Sequence, residues 1–243
     1  MSRGTVVCFV LTFNRPLALQ RAVRSVLGQT YGDLLCIVCD DGSSPRPDLS
    51  QFSDPRLILV SGPQRSPEDK RRMCTSSWVL NRARGFLRGA RWASYLTDLG
   101  TYYPDRLERM TEEWERLEQR AQEEPLSLIW GHQVHEGAPD LDPGSSIVPF
   151  SSAVLRQDLE QRNFIDLSSA LECARAAEGI EWDESPLAWP DPDRRRWLAH
   201  AQRGGAAVRV PVLSDVKRTS PLNAGRVLAA GGDPADLARG PRE

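Results

Sequence analysis

The sequence has no apolar run long enough to cross a membrane or to serve as a secretory h-region. Near the start Val6-Val7-Cys8-Phe9-Val10-Leu11 stops at Thr12. A cytoplasmic chain without a membrane span is the expectation. Neither charge sign prevails: Lys+Arg 31 against Asp+Glu 33 leaves a net charge of -2. No global field therefore invites nucleic acid or an anionic membrane, and any anion site must be local. Glycine is missing from Leu11 to Pro16, behind the first predicted strand. That absence excludes the Gly-rich phosphate loop of a nucleotidyltransferase and the GxGxxG of a dinucleotide oxidoreductase.

Histidine is scarce, with three in the chain. His132 and His135 are spaced HxxH in a predicted strand, where they would point to opposite faces and share no metal. His200 shows no partner in the sequence. The five cysteines are an odd number, and Cys8, Cys36 and Cys39 sit inside apolar runs, which suits reduced core thiols better than a disulfide framework. Cys36 and Cys39 form a CxxC, but on a strand they too face opposite ways. No internal repeat is visible.

What is present fits one large α/β domain: 243 residues, 40% hydrophobic and 26% charged, enough for one substantial core. Residues 5 to 13 read as a strand buried on both faces. A helix follows, with Asn14 as its cap, Pro16 in its first turn and Leu19, Val23, Val26 and Leu27 on one face. Strands are predicted at Leu34 to Cys39, Arg56 to Val60 and Trp92 to Leu96. A helix from Lys70 carries Trp78, Val79, Ala83 and Phe86, and another opened by Pro104 carries Leu107, Met110, Trp114 and Leu117. The second half is less regular, with strands at 126 to 135 and 147 to 150 and helices near 168 to 177 and from Asp193. The alternation predicts a mainly parallel sheet flanked by helices, with ligands beyond the carboxyl ends of its strands. We expect a domain over 1–221, its nucleotide-binding half at about 1–104 and its acceptor-side half at about 105–221. Residues 222–243 read as a flexible tail.

Two acidic stops lie at predicted strand ends, Asp40-Asp41-Gly42-Ser43 and Thr97-Asp98. A carboxylate there can accept a base N–H or a ribose hydroxyl, although Asp-Gly-Ser is also ordinary turn chemistry. Lys70-Arg71-Arg72 is either an anion contact or a solvated helix start. Asp193 can serve as a general base or as a helix cap.

Several landmarks in order resemble family 2 glycosyltransferases: Leu11-Thr12-Phe13-Asn14-Arg15-Pro16, Gln29-Thr30-Tyr31, Cys39-Asp40-Asp41-Gly42-Ser43-Ser44, Tyr95-Leu96-Thr97-Asp98 and Trp182-Asp183-Glu184-Ser185-Pro186. Tyr103-Pro104-Asp105-Arg106-Leu107 and the Trp182 segment are similar to the spore-coat polysaccharide branch in particular. The resemblance implies a GT-A fold and transfer of a sugar, with inversion, from a UDP- or TDP-linked donor to a carbohydrate or other acceptor hydroxyl. It also implies residue roles. Thr12, Asn14, Asp41, Arg71 (or Lys70 or Arg72) and Asp98 would hold the nucleotide, and Asp98 would help hold Mn²⁺ or Mg²⁺. Asp183 and Glu184 would face the acceptor, and Asp193, with Asp191 as the alternative, would be the base. One departure stands out. After Asp98, where the family has a second, metal-binding carboxylate, this chain has Leu99-Gly100-Thr101. Leucine offers a hard cation no oxygen, so a nucleotide-sugar binder with impaired catalysis is the alternative reading.

Overall fold

A computed structural model describes residues 4–120, 123–137, 146–188 and 191–218, and leaves the side chains of Pro67 and Arg71 undescribed. The expected tail at 222–243 lies outside the described residues, as does the end of the expected domain.

Strand β1 (Val6–Thr12) leads through α1 (Pro16–Leu27) to β2 (Leu34–Asp40) and then to β3 (Leu57–Ser61). Helices α2 (Pro67–Arg72) and α3 (Thr75–Ala83) carry the chain to β4 (Trp92–Thr97). These four strands run parallel in the order β3-β2-β1-β4. Both faces of β1 are covered, which is why it reads as an unbroken apolar run. Val6, Cys8 and Val10 pack under Leu19, Val23 and Val26 of α1, while Val7 and Phe9 pack with Val79, Leu80 and Ala83 of α3. Each valine, leucine or phenylalanine among them, withdrawn from water, contributes roughly 1.5–3 kcal/mol. Cys36 belongs to the first cluster and Cys39 to the second, so the CxxC is split across the sheet as expected. Burial pushes both thiols up in pKa.

Beyond β4 the parallel pattern ends. After β5 (Gly100–Tyr102) and α4 (Arg106–Glu118) come β6 (Leu126–His135), β7 (Val148–Phe150), α5 (Ser152–Gln161), β8 (Ala170–Cys173), α6 (Pro192–Gln202) and β9 (Ala206–Lys217). Strand β8 is antiparallel to both β4 and β6, β6 and β9 are parallel, and β5 and β7 each join β9 antiparallel. The sheet is therefore mixed, parallel in its first half. On α4 the stripe Leu107, Met110, Trp114 and Leu117 is buried as expected.

Three local expectations are corrected. The helix near 168 to 177 is instead a short 3-10 turn, strand β8 and a run of turns. The Ala-, Leu- and Glu-rich segment has helical propensity, but pairing with both β4 and β6 overrides it. The helix expected from Lys70 is two helices that break at Met73 and Cys74, the first with a capping box between Ser66 and Asp69. Asn14 does not cap α1. Arg15 occupies the cap position without a side-chain cap bond, and Asn14 sits at φ 53, with its amide oxygen accepting Ser44 N–H at 2.8 Å.

Two buried charge networks fasten the halves. Arg106, fully buried at the start of α4, donates to Ser214 Oγ, Ser94 Oγ and the carbonyls of Ser168 and Ala170, and lies 4.0 Å from the Tyr102 ring centre. Glu172 on β8 accepts from Tyr95 Oη and Arg196 Nη2 and contacts His200 Nε2. His200 thus has the partner that the sequence did not reveal.

Candidate functional site

The order β3-β2-β1-β4 places a topological switch point between β1 and β4: the chain leaves β1 toward β2 and β3, then returns to β1's other side. In such sheets the crevice beyond the carboxyl ends at the switch point is where ligands bind. Thr12 ends β1 and Asp98 follows β4, and they meet there, with Thr12 Oγ1 donating to Asp98 Oδ2 at 2.9 Å. Asp98 Oδ2 also accepts Phe13 N–H at 3.4 Å, and its Oδ1 takes Arg15 Nη1 at 3.1 Å. Burial raises the Asp98 pKa, with Arg15 and Thr12 pulling against it.

On the other side of β1, at the end of β2, Asp41 Oδ2 accepts Thr75 Oγ1 at 2.6 Å and Lys70 Nζ at 3.2 Å. The Lys70 ammonium also sits 3.3 Å from the centre of the Phe13 ring. Burial pushes Asp41 up and Lys70 down, each partly offset by the other's charge. The Asp41 loop is braced by Asp41 N–H on the Thr12 carbonyl, Ser43 N–H on Asp40 Oδ1, and Asn14 N–H on Ser43 Oγ. Gly42 makes the turn at φ 78, where an added Cβ would meet the Pro63 carbonyl oxygen at 2.3 Å. Of the basic trio, Lys70 is seated beside Asp41 and Phe13. Arg72 pairs with Glu68 on the surface, and the Arg71 side chain lies outside the described residues.

The far wall comes from the second half. Arg218 N–H bonds the Leu99 carbonyl, and Lys217 stands opposite Gly100 in the β5–β9 ladder. Lys217 Nζ pairs with Asp166, and Gln133 Nε2 bridges Asp166 Oδ1 and Asp215 Oδ2 at 3.0 and 2.9 Å. Asp193, in the first turn of α6, is half-buried, and Asn163 Nδ2 and the Arg194 N–H both reach its Oδ1. Burial first, then the nearby negative charge of Asp166, raises the Asp193 pKa to about 6. A carboxylate poised there can take a proton near neutral pH. Asp191, at the cap position of α6, makes no side-chain cap bond, whereas Asp193 accepts the Arg194 N–H, one of the open donors of the first turn.

Asp183 and Glu184 are already engaged. Asp183 accepts Arg195 Nη1 at 2.6 Å and Ser185 N–H at 2.8 Å. Glu184 accepts Asn81 Nδ2 at 2.8 Å, while the same Asn81 amide holds Trp182 through its backbone. Arg194 donates to the Leu159 carbonyl, and Arg196 is buried on Glu172.

The sequence reading singled out Thr12, Asn14, Asp41, Asp98 and Asp193, but passed over Arg15 and Lys217 as partners and missed Asp166, Gln133 and Asp215. Gln133 and Asp215 are register partners on β6 and β9, and Lys217 lies two residues further along β9, a long-range pairing that no local pattern encodes. Among the described residues, no group of three or more His, Cys, Asp or Glu side chains could hold a metal ion, and no helix is long and apolar enough to cross a membrane.

Comparisons with known proteins agree with this arrangement. Residues 7–122 match the model of Glycosyl transferase family 2. Protein CgeD of Bacillus subtilis (strain 168) is 32% identical over 114 residues, 46% of this chain and 26% of that protein. Solved S. aureus TarS superposes with a TM-score of 0.65 at 9% identity, covering 90% of this chain and 37% of that one. TarS 1-349 in complex with UDP-GlcNAc gives 0.65 at 10% identity, over 89% of this chain and 59% of that one. The complex of TarS 1-349 with UDP gives 0.62 at 9% identity, over 90% and 62%. The chain thus spans about a quarter of CgeD and between 37% and 62% of these TarS chains. At such identities the superpositions establish the fold, which is the expected GT-A architecture.

Proposed function

We propose that this chain, whose residues 7–122 match the model of Glycosyl transferase family 2, transfers a sugar, with inversion, from a UDP- or TDP-linked donor to an acceptor hydroxyl. The observation that carries this reading is the pair of carboxylates, Asp41 and Asp98, just beyond the ends of β2 and β4 on either side of β1, inside the matched segment. Asp41 would accept a base N–H, and Thr12, Asn14 and Asp98 would line the nucleoside. Lys70 is the basic neighbour at hand in the place expected of Arg71. UDP and UDP-GlcNAc, the ligands of the TarS complexes, are the natural first probes.

The acceptor hydroxyl would enter from the α6 side, with Asp183 and Glu184 on its approach. Asp193 takes its proton as the oxygen attacks the anomeric carbon from the face opposite the diphosphate. The raised pKa of Asp193, about 6, suits a base that must be ionised at neutral pH yet hold a proton once it has one. Asp191, two residues away, is the alternative.

The Mn²⁺ or Mg²⁺ implied by the resemblance finds a poor donor set. Both Asp98 oxygens are engaged by Thr12, Phe13 and Arg15, and Leu99 supplies no oxygen. This favours a second reading, a nucleotide-sugar binder with impaired catalysis. Thermal melts with UDP, TDP and GDP test the shared premise. A ligand at a hundred times its Kd adds about 2.7 kcal/mol, or roughly 5–10 °C for a chain of this size. No shift with any of them would sink both readings. A shift together with nucleoside diphosphate release from the matching sugar nucleotide, lost in Asp193→Asn, selects the transferase. A shift without release selects the silent binder.

A further inference from the structure

The misfit to a divalent cation has a positive counterpart. Beside Asp98, where a cation would sit, there is already a fixed positive charge, the Arg15 guanidinium, with its Nη1 3.1 Å from Asp98 Oδ1. Arg15 spends little of its donor capacity on the protein. Nη1 serves Asp98, Nε is buried with no hydrogen-bond partner, and no bond from Nη2 is found among the described residues. A buried N–H without a partner is costly, and an anion supplied by a ligand would satisfy it. The side chain is about one fifth exposed, so the crevice reaches it.

Its place in the fold matters equally. Arg15 stands between the end of β1 and the first turn of α1, a helix whose first turn holds no acidic residue and whose start has no side-chain cap. A donor seated with its base at Asp41, at the end of β2, and its sugar toward Asp193 crosses the end of β1. Its diphosphate then passes over Arg15. A guanidinium fork pairs with phosphate oxygens through two parallel N–H bonds, which an ammonium cannot do.

We propose that Arg15, braced by Asp98, binds the diphosphate of the sugar nucleotide and stabilises the leaving group in place of a divalent cation, so that the chain works without one. This rests on the donor reading given above. In the step, the acceptor oxygen forms a bond to the anomeric carbon and its proton passes to the Asp193 carboxylate. The bond from that carbon to the β-phosphate oxygen breaks, and its electron pair stays on that oxygen. The nucleoside diphosphate leaves with one more negative charge, facing the guanidinium.

The test is calorimetric titration of the full chain with UDP, with TDP and, separately, with uridine, in EDTA and in excess Mn²⁺. It uses the wild type, Arg15→Ala, Arg15→Lys and Leu99→Asp. The expected result is wild-type UDP affinity in EDTA within about threefold of that in Mn²⁺. Arg15→Ala should weaken UDP by roughly tenfold to a hundredfold and uridine by less than about twofold, the difference expected of a lost charge-assisted contact to phosphate. Arg15→Lys, which keeps the charge and loses the fork, should fall between. Leu99→Asp, which restores an oxygen ligand, should make UDP affinity rise with Mn²⁺. The inference is overturned if wild-type UDP binding vanishes in EDTA and returns with Mn²⁺. It is equally overturned if Arg15→Ala weakens uridine as much as UDP, as a purely structural role through Asp98 would. Absence of binding of UDP, TDP and uridine under both conditions overturns the donor reading itself, and this inference with it.

Discussion

Replacing Glu172 by glutamine should destabilise the protein sharply without touching the crevice. Glu172 is fully buried, as is Arg196. Arg196 Nη2 donates to Oε2 at 3.0 Å, while Nε lies 2.9 Å from Oε1 without the alignment of a hydrogen bond, so that contact is an ion contact only. Tyr95 Oη and His200 Nε2 complete the shell. Burial alone would raise the Glu172 pKa, but Arg196 and His200 hold it down at about 2. Against an ordinary carboxyl near 4.3 that is worth about 3 kcal/mol at neutral pH. The independent expectation for stripping one partner from a buried pair is about 3–5 kcal/mol. Both lead to a fall in Tm on the order of 10 °C for a chain this long, read by scanning calorimetry at pH 7. The sign with pH follows. A depressed folded-state pKa contributes above the unfolded value and is lost as pH falls toward the folded one. The gap between wild type and Glu172→Gln should therefore narrow by about 1 kcal/mol on going from pH 7 to pH 3.5. A change in Tm below about 2 °C, or a gap indifferent to pH, would show that the Glu172–Arg196 pair does not carry this stability.

Nucleoside diphosphate release should rise with pH through about 6 and then level off, because Asp193 must lose its proton to act as base. Asp193→Asn should lower the rate by about 10²–10⁴, and an unchanged rate would remove that role. Asp166→Asn should move the rise to lower pH, since it removes a repelling charge and leaves Lys217 near Asp193 without its closest counter-charge. A rise moved to higher pH would contradict this. Gly42→Ala, forced into φ 78 and against the Pro63 carbonyl, should cost at least about 1–2 kcal/mol, visible as a lower Tm, and should weaken UDP binding with it.

Much of the first half was legible because its signals are local. The apolar runs of β1 and β2 are continuous since both faces are covered, and the acidic stops at Asp41 and Asp98 fall at the strand ends that the topology turns into a crevice. The stripe on α4 was readable for the same reason. Legibility ended where structure depends on distant pairing. Residues 168 to 177 have the composition of a helix, yet β8 forms because β4 and β6 each present it an edge. Asn14 is a residue type suited to a cap, but its amide instead accepts the Ser44 N–H from the loop after β2. Lys217 meets Gly100 only through the β5–β9 ladder, and Arg15 was read as part of a motif without its ion pair, which joins positions 83 residues apart. The local propensities of these residues were read correctly. Their partners lay elsewhere in the chain.

A nucleoside diphosphate seated across the end of β1, with Asp41 reading its base, is tested most directly by titration of the full chain with UDP, beside Asp41→Ala. Saturable binding by the wild type is expected, weakened about tenfold or more in Asp41→Ala through loss of a charged hydrogen-bond acceptor. A wild type that binds no nucleotide, or an Asp41→Ala protein that binds UDP as well as the wild type does, would contradict it.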